Sequence, residues 1–261
     1  MADTWRFIDT GLCRASYNMA LDEAIAITVK KGNSPPVLRL YGWDSPSVSI
    51  GYFQKACDIN VDYCLKKGIP IVRRPTGGRA ILHEDEITYS FSAKTDEGIF
   101  SKGLFDSYNK ISKAFVFAFS EIGIQSEPQL QRKHRRDRSP LCFQSTSYGE
   151  ITINSKKVIG SAQRRWPDGL LQQGSIPFAV NEEEIAKIFR LESSYRAEEI
   201  TGLKKIILDL NLGDIRNSIR VSFEKTFNVV LIPSSPSHEE VSLAGQLEVR
   251  KYSSHQWNFQ R

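Results

Sequence analysis

The sequence contains no long hydrophobic run. In its 261 residues no apolar stretch approaches the roughly 20 residues that a membrane-spanning helix needs. The first residues, Met1-Ala2-Asp3-Thr4-Trp5-Arg6, also lack the basic start and the apolar run of a secretory signal. These absences predict a cytoplasmic protein that has no membrane partner.

Cysteine is scarce as well. The chain has four cysteines, at Cys13, Cys57, Cys64 and Cys142, and no two of them form a C-x-x-C pair. They are too few and too scattered for a disulfide scaffold or a structural zinc site, so we expect no bound metal. Cys13, Cys57 and Cys64 lack a cation-rich local setting, and we expect them to be buried as small apolar side chains.

The chain has little excess charge of either sign. Its 35 basic and 30 acidic residues leave a formal charge of +5, which does not favour nucleic acid as the partner. Most of the excess lies in one run, Arg132-Lys133-His134-Arg135-Arg136-Asp137-Arg138. This basic run is either a solvated loop or a docking patch for an acidic protein.

The composition is that of an ordinary folded protein, with 40% hydrophobic and 25% charged residues. We expect a single catalytic domain over 1–261, with a core at about 30–235 and a C-terminal helical segment at about 236–261. Predicted strands gather early in the chain and predicted helices late. This order favours an α+β fold in which helices flank a mixed β-sheet.

Apolar periodicity and capping residues place the elements. Helices are predicted from Tyr17 (capped by Ser16) to about Lys30, at 58–67 and 104–122, from Asn181 to about Phe189, from Asp214 to about Phe227, and at 238–251. Strands are predicted at 37–41, 47–50, 69–72, 80–82, 87–93, 170–176 and 229–232, with a hairpin of 148–153 and 157–162 around Asn154-Ser155.

A glycine turn with flanking arginines is the first candidate for chemistry. It reads Arg73-Arg74-Pro75-Thr76-Gly77-Gly78-Arg79-Ala80-Ile81-Leu82-His83. Paired glycines allow the backbone to approach a ligand closely, and arginines supply donors for a carboxylate, a phosphate or an acyl carbonyl. The spacing excludes both a P-loop and the G-x-G-x-x-G dinucleotide motif. His83 could orient an acyl group or be a hydrogen-bonded structural residue.

The second candidate is Cys142, which Lys157 follows fifteen residues later. A cysteine thiol is mostly protonated at neutral pH, so a nucleophilic role requires a nearby cation or base. A lysine beside it would favour the thiolate and, once neutral, could accept a proton from an attacking amine. The predicted hairpin, however, pairs Lys157 with about Ile153, so contact with Cys142 requires the loop 131–147 to fold back.

Several motifs in order resemble the lipoate/biotin protein ligase superfamily, and most closely its octanoyltransferase branch. The resemblance runs from about Trp5 to Trp257. Besides Arg73 to His83 and Cys142-Phe143, it rests on Tyr17-Asn18-Met19-Ala20-Leu21-Asp22, the 157–163 segment, Leu171-Gln172-Gln173-Gly174-Ser175-Ile176 and Lys251-Tyr252. Two departures are the high basic charge of 133–138 and the Gln172-Gln173-Gly174 triplet, where many relatives have histidine before the glycine.

The resemblance implies a biotin/lipoate protein ligase-like catalytic fold and an acyltransferase. Cys142 would take an octanoyl group from octanoyl-acyl carrier protein as a thioester and pass it to a lysine of a lipoyl-domain or glycine-cleavage carrier protein, with Lys157 assisting. Arg73, Arg74, Thr76, Gly77, Gly78, Arg79 and His83 would line the acyl pocket, with Gly160, Ser161 and Ala162 beside the thioester. No cofactor is expected, because the donor is already activated.

Three alternatives remain open at the level of sequence. One is an amidotransferase that moves octanoyl between two carrier proteins. Another is an ATP-dependent lipoate ligase, although ligases of the superfamily lack a cysteine at the Cys142 position and more often have a third glycine where this chain has Arg79. The last is a carrier-binding module without catalytic activity.

Overall fold

The computed structural model of the chain describes residues 2–128, 150–192, 200–207 and 211–260. Its strands are β1 (Asp3–Cys13), β2 (Val37–Trp43), β3 (Ser47–Ile50), β4 (Ile71–Arg73), β5 (Ile81–His83), β6 (Glu86–Lys94), β7 (Glu127–Pro128), β8 (Ile151–Ile153), β9 (Lys156–Arg165), β10 (Gly169–Pro177) and β11 (Val229–Pro233). Its α-helices are α1 (Ala15–Lys30), α2 (Val61–Lys67), α3 (Leu104–Glu121), α4 (Glu182–Ile188), α5 (Leu212–Phe227), α6 (His238–Leu247) and α7 (His255–Phe259). A π-helical turn, Glu248–Tyr252, joins the last two helices.

The large sheet has eight strands in the order β11-β1-β2-β6-β10-β9-β8-β7. β1 pairs in parallel with both β11 and β2, whereas β2, β6, β10 and β9 pair in antiparallel fashion. The second sheet is small, with the order β4-β3-β5 and the same mixture of directions. Both sheets are therefore mixed, as the sequence predicted.

Helices cover both faces of the large sheet. On one face Phe115 and Phe119 of α3 and Phe223 of α5 pack with Phe91 of β6 in one apolar cluster. On the other face α1 and α6 pack against β2 in a second cluster. A third cluster joins the small sheet to α2 and α4. The prediction of a mixed sheet flanked by helices in a biotin/lipoate ligase-like fold is confirmed.

The sheet begins earlier than predicted. β1 lies inside the large sheet, between β11 and β2, so the folded core includes residues well before 30. The strand was missed because half of it is exposed and its partner β11 lies more than 200 residues away in sequence, where local periodicity gives no signal. The single catalytic domain over 1–261 stays a prediction.

Two of the predicted helix caps were also wrong. Ser16 lies inside α1, which begins at Ala15, and its hydroxyl donates to Glu248 at 2.7 Å instead of capping the helix. The side chain of Asn211, not of Asp214, caps α5. The predicted cap at Asn181 is confirmed, because its side chain accepts from the Glu184 N–H. Among the described residues, no helix combines the length and apolarity needed to cross a membrane.

Candidate active site

The glycine turn after β4 folds back onto the end of β3. The Tyr52 N–H donates to the Thr76 carbonyl at 2.9 Å. Gly78 has a φ of +86°, and a Cβ atom on Gly51 would lie 1.9 Å from the Gly78 carbonyl oxygen. A left-handed residue and a backbone contact this close both require glycine, which explains Gly78 and Gly51.

The two arginines ahead of this turn bind the protein's own backbone. The Arg74 guanidinium donates to the carbonyls of Gly77 and Arg79 at 2.7 Å each and to Ser49 at 3.1 Å. Arg73 is fully buried. Its guanidinium donates to carbonyls of the segment after β3 and of α7, namely those of Gly51, Tyr52, Gln54, Trp257 and Asn258. These donors, which the sequence analysis assigned to a ligand, fix the conformation of the turn.

Gln173 connects the turn to a buried ion pair. Its amide accepts from the Thr76 hydroxyl at 2.8 Å and donates to Asp22 at 2.7 Å. Asp22 in turn contacts Arg39 at 2.6 Å, and neither of these two charged side chains is accessible to solvent. The position of Thr76 therefore depends on charges buried beneath α1.

His83 lies in a dense polar network. Its Nε2 is 2.7 Å from the Ser49 hydroxyl, its Nδ1 is 2.7 Å from Glu86, and its ring stacks on Trp43 with centroids 4.0 Å apart. Burial acts to raise the pKa of Glu86, but the His83 ring and hydrogen bonds from His83, Ser175 and Thr88 together hold it below its ordinary value. His83 is thus hydrogen-bonded as one of its two readings expects, and its part in orienting an acyl group stays a prediction.

A pocket lies between the two sheets, with α1 at one side. Its cavity volume is about 20 Å³, well below the ~300–1,000 Å³ that is usual for ligand sites, so the pocket is narrow. Five of the predicted pocket residues line it: Arg74, His83, Gly160, Ser161 and Ala162. Thr76, Gly77, Gly78, Arg79 and Arg73 are not among the lining residues. Most of the exposed wall is apolar, which suits a hydrocarbon chain.

The strand that forms one wall is held by a chain of hydrogen bonds. The Tyr89 hydroxyl lies 2.7 Å from the Ser161 hydroxyl and accepts from Gln172 at 2.8 Å. Gln172 accepts in turn from Gln163 at 2.8 Å. Burial raises the pKa of Tyr89 to about 12, so its hydroxyl keeps its proton at neutral pH. Gln172, the first residue of the triplet that departs from many relatives, thus supports the wall beside Ser161.

Lys157 precedes this wall on the same strand. Its side chain is fully buried, and its ammonium nitrogen lies 2.5 Å from the Glu150 carboxylate. It pairs across the hairpin with Thr152, one residue from the predicted partner Ile153. Gly160 follows three residues later, about 10 Å along an extended strand.

Some predicted residues lie outside the described part of the chain. They are Cys142 and the basic run 132–138, so the approach of Cys142 to Lys157 stays a prediction. For the other cysteines, burial is confirmed at Cys64, where it raises the pKa to about 11. Burial is wrong for Cys57, which is exposed, and Cys13 is only half-buried.

Several pocket residues were not predicted from the sequence. Met19, Tyr41, Trp43 and Gln173 line the pocket, and Glu150 contacts Lys157. The motif containing Met19 and the glutamine triplet were both noticed, but only the fold shows that they meet. Nothing in the local sequence distinguishes Glu150 from a surface carboxylate.

The fold is similar to that of solved lipoate protein ligases. A lipoate-protein ligase A bound with ATP superposes with a TM-score of 0.83 at 24% identity, covering 99% of each chain. A bi-partite lipoate protein ligase from Thermoplasma acidophilum, described with its E2 lipoyl domain, gives a TM-score of 0.82 at 22% identity and covers 98% of this chain and 96% of its own. The chain is therefore in the class of proteins that have the lipoate protein ligase fold.

Relatives in sequence identify the family to which the chain belongs. The chain belongs to the lipoyl protein ligase A/B catalytic domain family, which matches residues 14–224. It is 36% identical to Octanoyltransferase LipM of Carboxydothermus hydrogenoformans, with 98% of this chain and 99% of that protein covered. It is 34% identical to the protein of the same name from Geobacillus kaustophilus and 32% to that from Bacillus subtilis, each with 99% of both chains covered.

Proposed function

We propose that this chain transfers an octanoyl group from octanoyl-acyl carrier protein to a lysine of a lipoyl carrier domain through a thioester on Cys142. It is an acyltransferase that acts in lipoate assembly, like its full-length relatives. The observation that carries the proposal is the narrow apolar pocket along Gly160–Ala162, on the strand that also bears Lys157. The cytoplasmic location expected from the sequence is part of this proposal.

The reaction has two steps. In the first, the Cys142 sulfur bonds to the acyl carbon, the thioester bond of the donor breaks, and the thiol proton ends on the released donor thiol. In the second, the amine of the carrier lysine forms an amide with the acyl carbon and Cys142 leaves with a proton. Exchange between thioesters is nearly balanced, whereas amide formation is downhill, so no ATP is required. Backbone N–H groups near Gly160 or Gly77 would stabilise the oxyanion.

The protein partners follow from this reaction. An acyl donor and a lipoyl-domain acceptor are the partners that the family implies. We assign the donor to octanoyl-acyl carrier protein and the acceptor to a lipoyl domain or the glycine-cleavage carrier protein, both acidic. The basic run 132–138 would then attract them electrostatically.

Reconstitution without ATP tests the proposal. Purified protein, octanoyl-acyl carrier protein and a lipoyl domain should give an octanoyl amide on the domain, and Cys142→Ser should give none. Activity that needs ATP, releases pyrophosphate and survives Cys142→Ala would identify a ligase instead. Transfer only from an octanoylated glycine-cleavage protein would identify an amidotransferase, and binding without any transfer would identify a silent carrier-binding module.

The docking role of the basic run has a separate test. Reversing Arg135 and Arg136 to glutamate should raise the KM for the carrier and weaken its dependence on salt, because attraction between opposite charges is screened. The value of kcat should change little. Unchanged KM and salt dependence would leave the run as a solvated segment.

A further inference from the structure

Glu150 and Lys157 form an ion pair inside the protein. The ammonium nitrogen lies 2.5 Å from a carboxylate oxygen, and the two side chains expose 2% and 0% of their surface. The hairpin brings them together. The turn at Asn154-Ser155 reverses the chain, so that β9 runs back along β8. The pairing register between the two strands shifts between Ile151 and Thr152. Such an irregularity redirects a side chain, and here the extra residue lies on β9, immediately after Lys157.

The pair gives Lys157 a counter-charge away from water. An isolated ammonium group is unfavourable in such a setting, whereas attraction between opposite charges is weakly screened there. The Glu150 carboxylate, 2.5 Å from the ammonium nitrogen, therefore holds the Lys157 side chain in one place.

The two roles considered for Lys157 need opposite charges. As an ammonium group it stabilises a thiolate on Cys142, whereas as a neutral amine it accepts a proton from the attacking carrier lysine. We infer that Glu150 is a positioning residue that keeps Lys157 charged and aimed, so that Lys157 acts on Cys142 electrostatically and not as the base. The inference rests on the proposed function, since Glu150 acts through Lys157 on the first acyl transfer.

Two substitutions separate charge from shape. Glu150→Gln keeps the size of the side chain and removes its charge, while Glu150→Asp keeps the charge and shortens the side chain by one methylene. Both variants and the wild type are mixed with octanoyl-acyl carrier protein at saturating and limiting concentrations, and the single-turnover rate of Cys142 acylation is measured. The rate of Cys142 alkylation by the neutral reagent iodoacetamide reports the thiolate directly.

Glu150→Gln should slow acylation at saturation at least tenfold with an unchanged half-saturating donor concentration, and should slow alkylation in parallel. Glu150→Asp should recover part of both rates. A merely structural role would lower the melting temperature without this pattern, and the double variant Glu150→Gln/Lys157→Met should regain thermal stability but not acylation.

Wild-type acylation or faster alkylation in Glu150→Gln would overturn the inference while leaving the proposed function intact. A double variant that recovers acylation along with stability would also overturn it. If the wild type forms no octanoyl adduct on Cys142, the proposed function fails and the inference fails with it. If Glu150→Gln does not fold, the comparison of Glu150→Asp with the wild type decides, and equal acylation and alkylation rates in those two proteins would refute the positioning role.

Discussion

Buried polar side chains surround an apolar pocket in this protein. Asp22 accepts from Arg39 at 2.6 Å, Tyr41 at 2.8 Å and Gln173 at 2.7 Å, all out of contact with water. Each of these groups is costly to bury alone and stable only because the others are present. Since Tyr41 and Gln173 also line the pocket, the network holds the pocket walls in one arrangement.

Gln173→Leu should therefore lower both stability and activity. It removes the acceptor of the Thr76 hydroxyl and one donor to Asp22, and an unpaired buried polar group costs about 1–3 kcal/mol. Urea unfolding measures the loss, with the exposed Gln260→Leu as the control, for which we expect a change within about 0.5 kcal/mol. Equal stabilities of the two variants would contradict the network's role.

The lowered pKa of Glu86 makes the free energy of unfolding depend on pH. Its folded pKa lies below the unfolded value of 4.5, so its contribution is complete above that value and is lost as the pH falls through the folded pKa. The urea midpoint of the wild type should fall more steeply on acidification than that of Glu86→Gln. The exposed Glu97→Gln should keep the wild-type slope. Parallel curves for wild type and Glu86→Gln would refute this assignment.

At the scale of elements, local signals predicted most of the fold. The hairpin around Asn154-Ser155, the long helix at 104–121 and the cap at Asn181 are present because their patterns are complete within a few residues. β1 was not predicted, and Ser16 was wrongly predicted as a helix cap, because their partners, β11 and Glu248, lie more than 200 residues away in sequence. Glu150 was missed for a different reason: it lies only seven residues from Lys157, but nothing in the local sequence shows that both side chains are buried and in contact.

The hairpin turn can be stabilised. Asn154 and Ser155 have φ values of +48° and +64°, the left-handed pair of a type I′ turn, in which glycine is preferred at the second position. Ser155→Gly should raise the free energy of unfolding by about 0.5–1 kcal/mol, because the left-handed backbone is unfavourable for a residue with a Cβ atom. Ser155→Ala is the matched control for urea unfolding. A glycine variant no more stable than the alanine variant would contradict the turn geometry.

At the scale of the whole molecule, the end of the chain clamps the start of the glycine turn. The Arg73 N–H donates to the Asn258 side chain and the Trp257 indole donates to the Arg73 carbonyl, each at 2.9 Å. The family match ends at residue 224, before this segment. The resemblance found in the sequence reached Trp257, but the contact of this segment with Arg73 is a property of the fold, which no local pattern reveals.

Asn258→Leu should loosen this clamp. It leaves the Arg73 N–H and the Tyr252 carbonyl without their partner, at a cost of about 1–3 kcal/mol in urea unfolding. Octanoyl transfer should fall as well, because the turn depends on Arg73. Asn258→Asp keeps the acceptor for Arg73 and should lose less of both. Wild-type stability of Asn258→Leu would show that the clamp contributes nothing.

The central claim is that an octanoyl group rests on one sulfur between donor and acceptor. Its most direct measurement mixes the protein with octanoyl-acyl carrier protein alone, without ATP or acceptor, and maps the adduct by peptide mass. The account predicts a single hydroxylamine-labile octanoyl group on the peptide containing Cys142, absent in Cys142→Ser. No adduct, or an adduct on another residue that persists in Cys142→Ser, would contradict it.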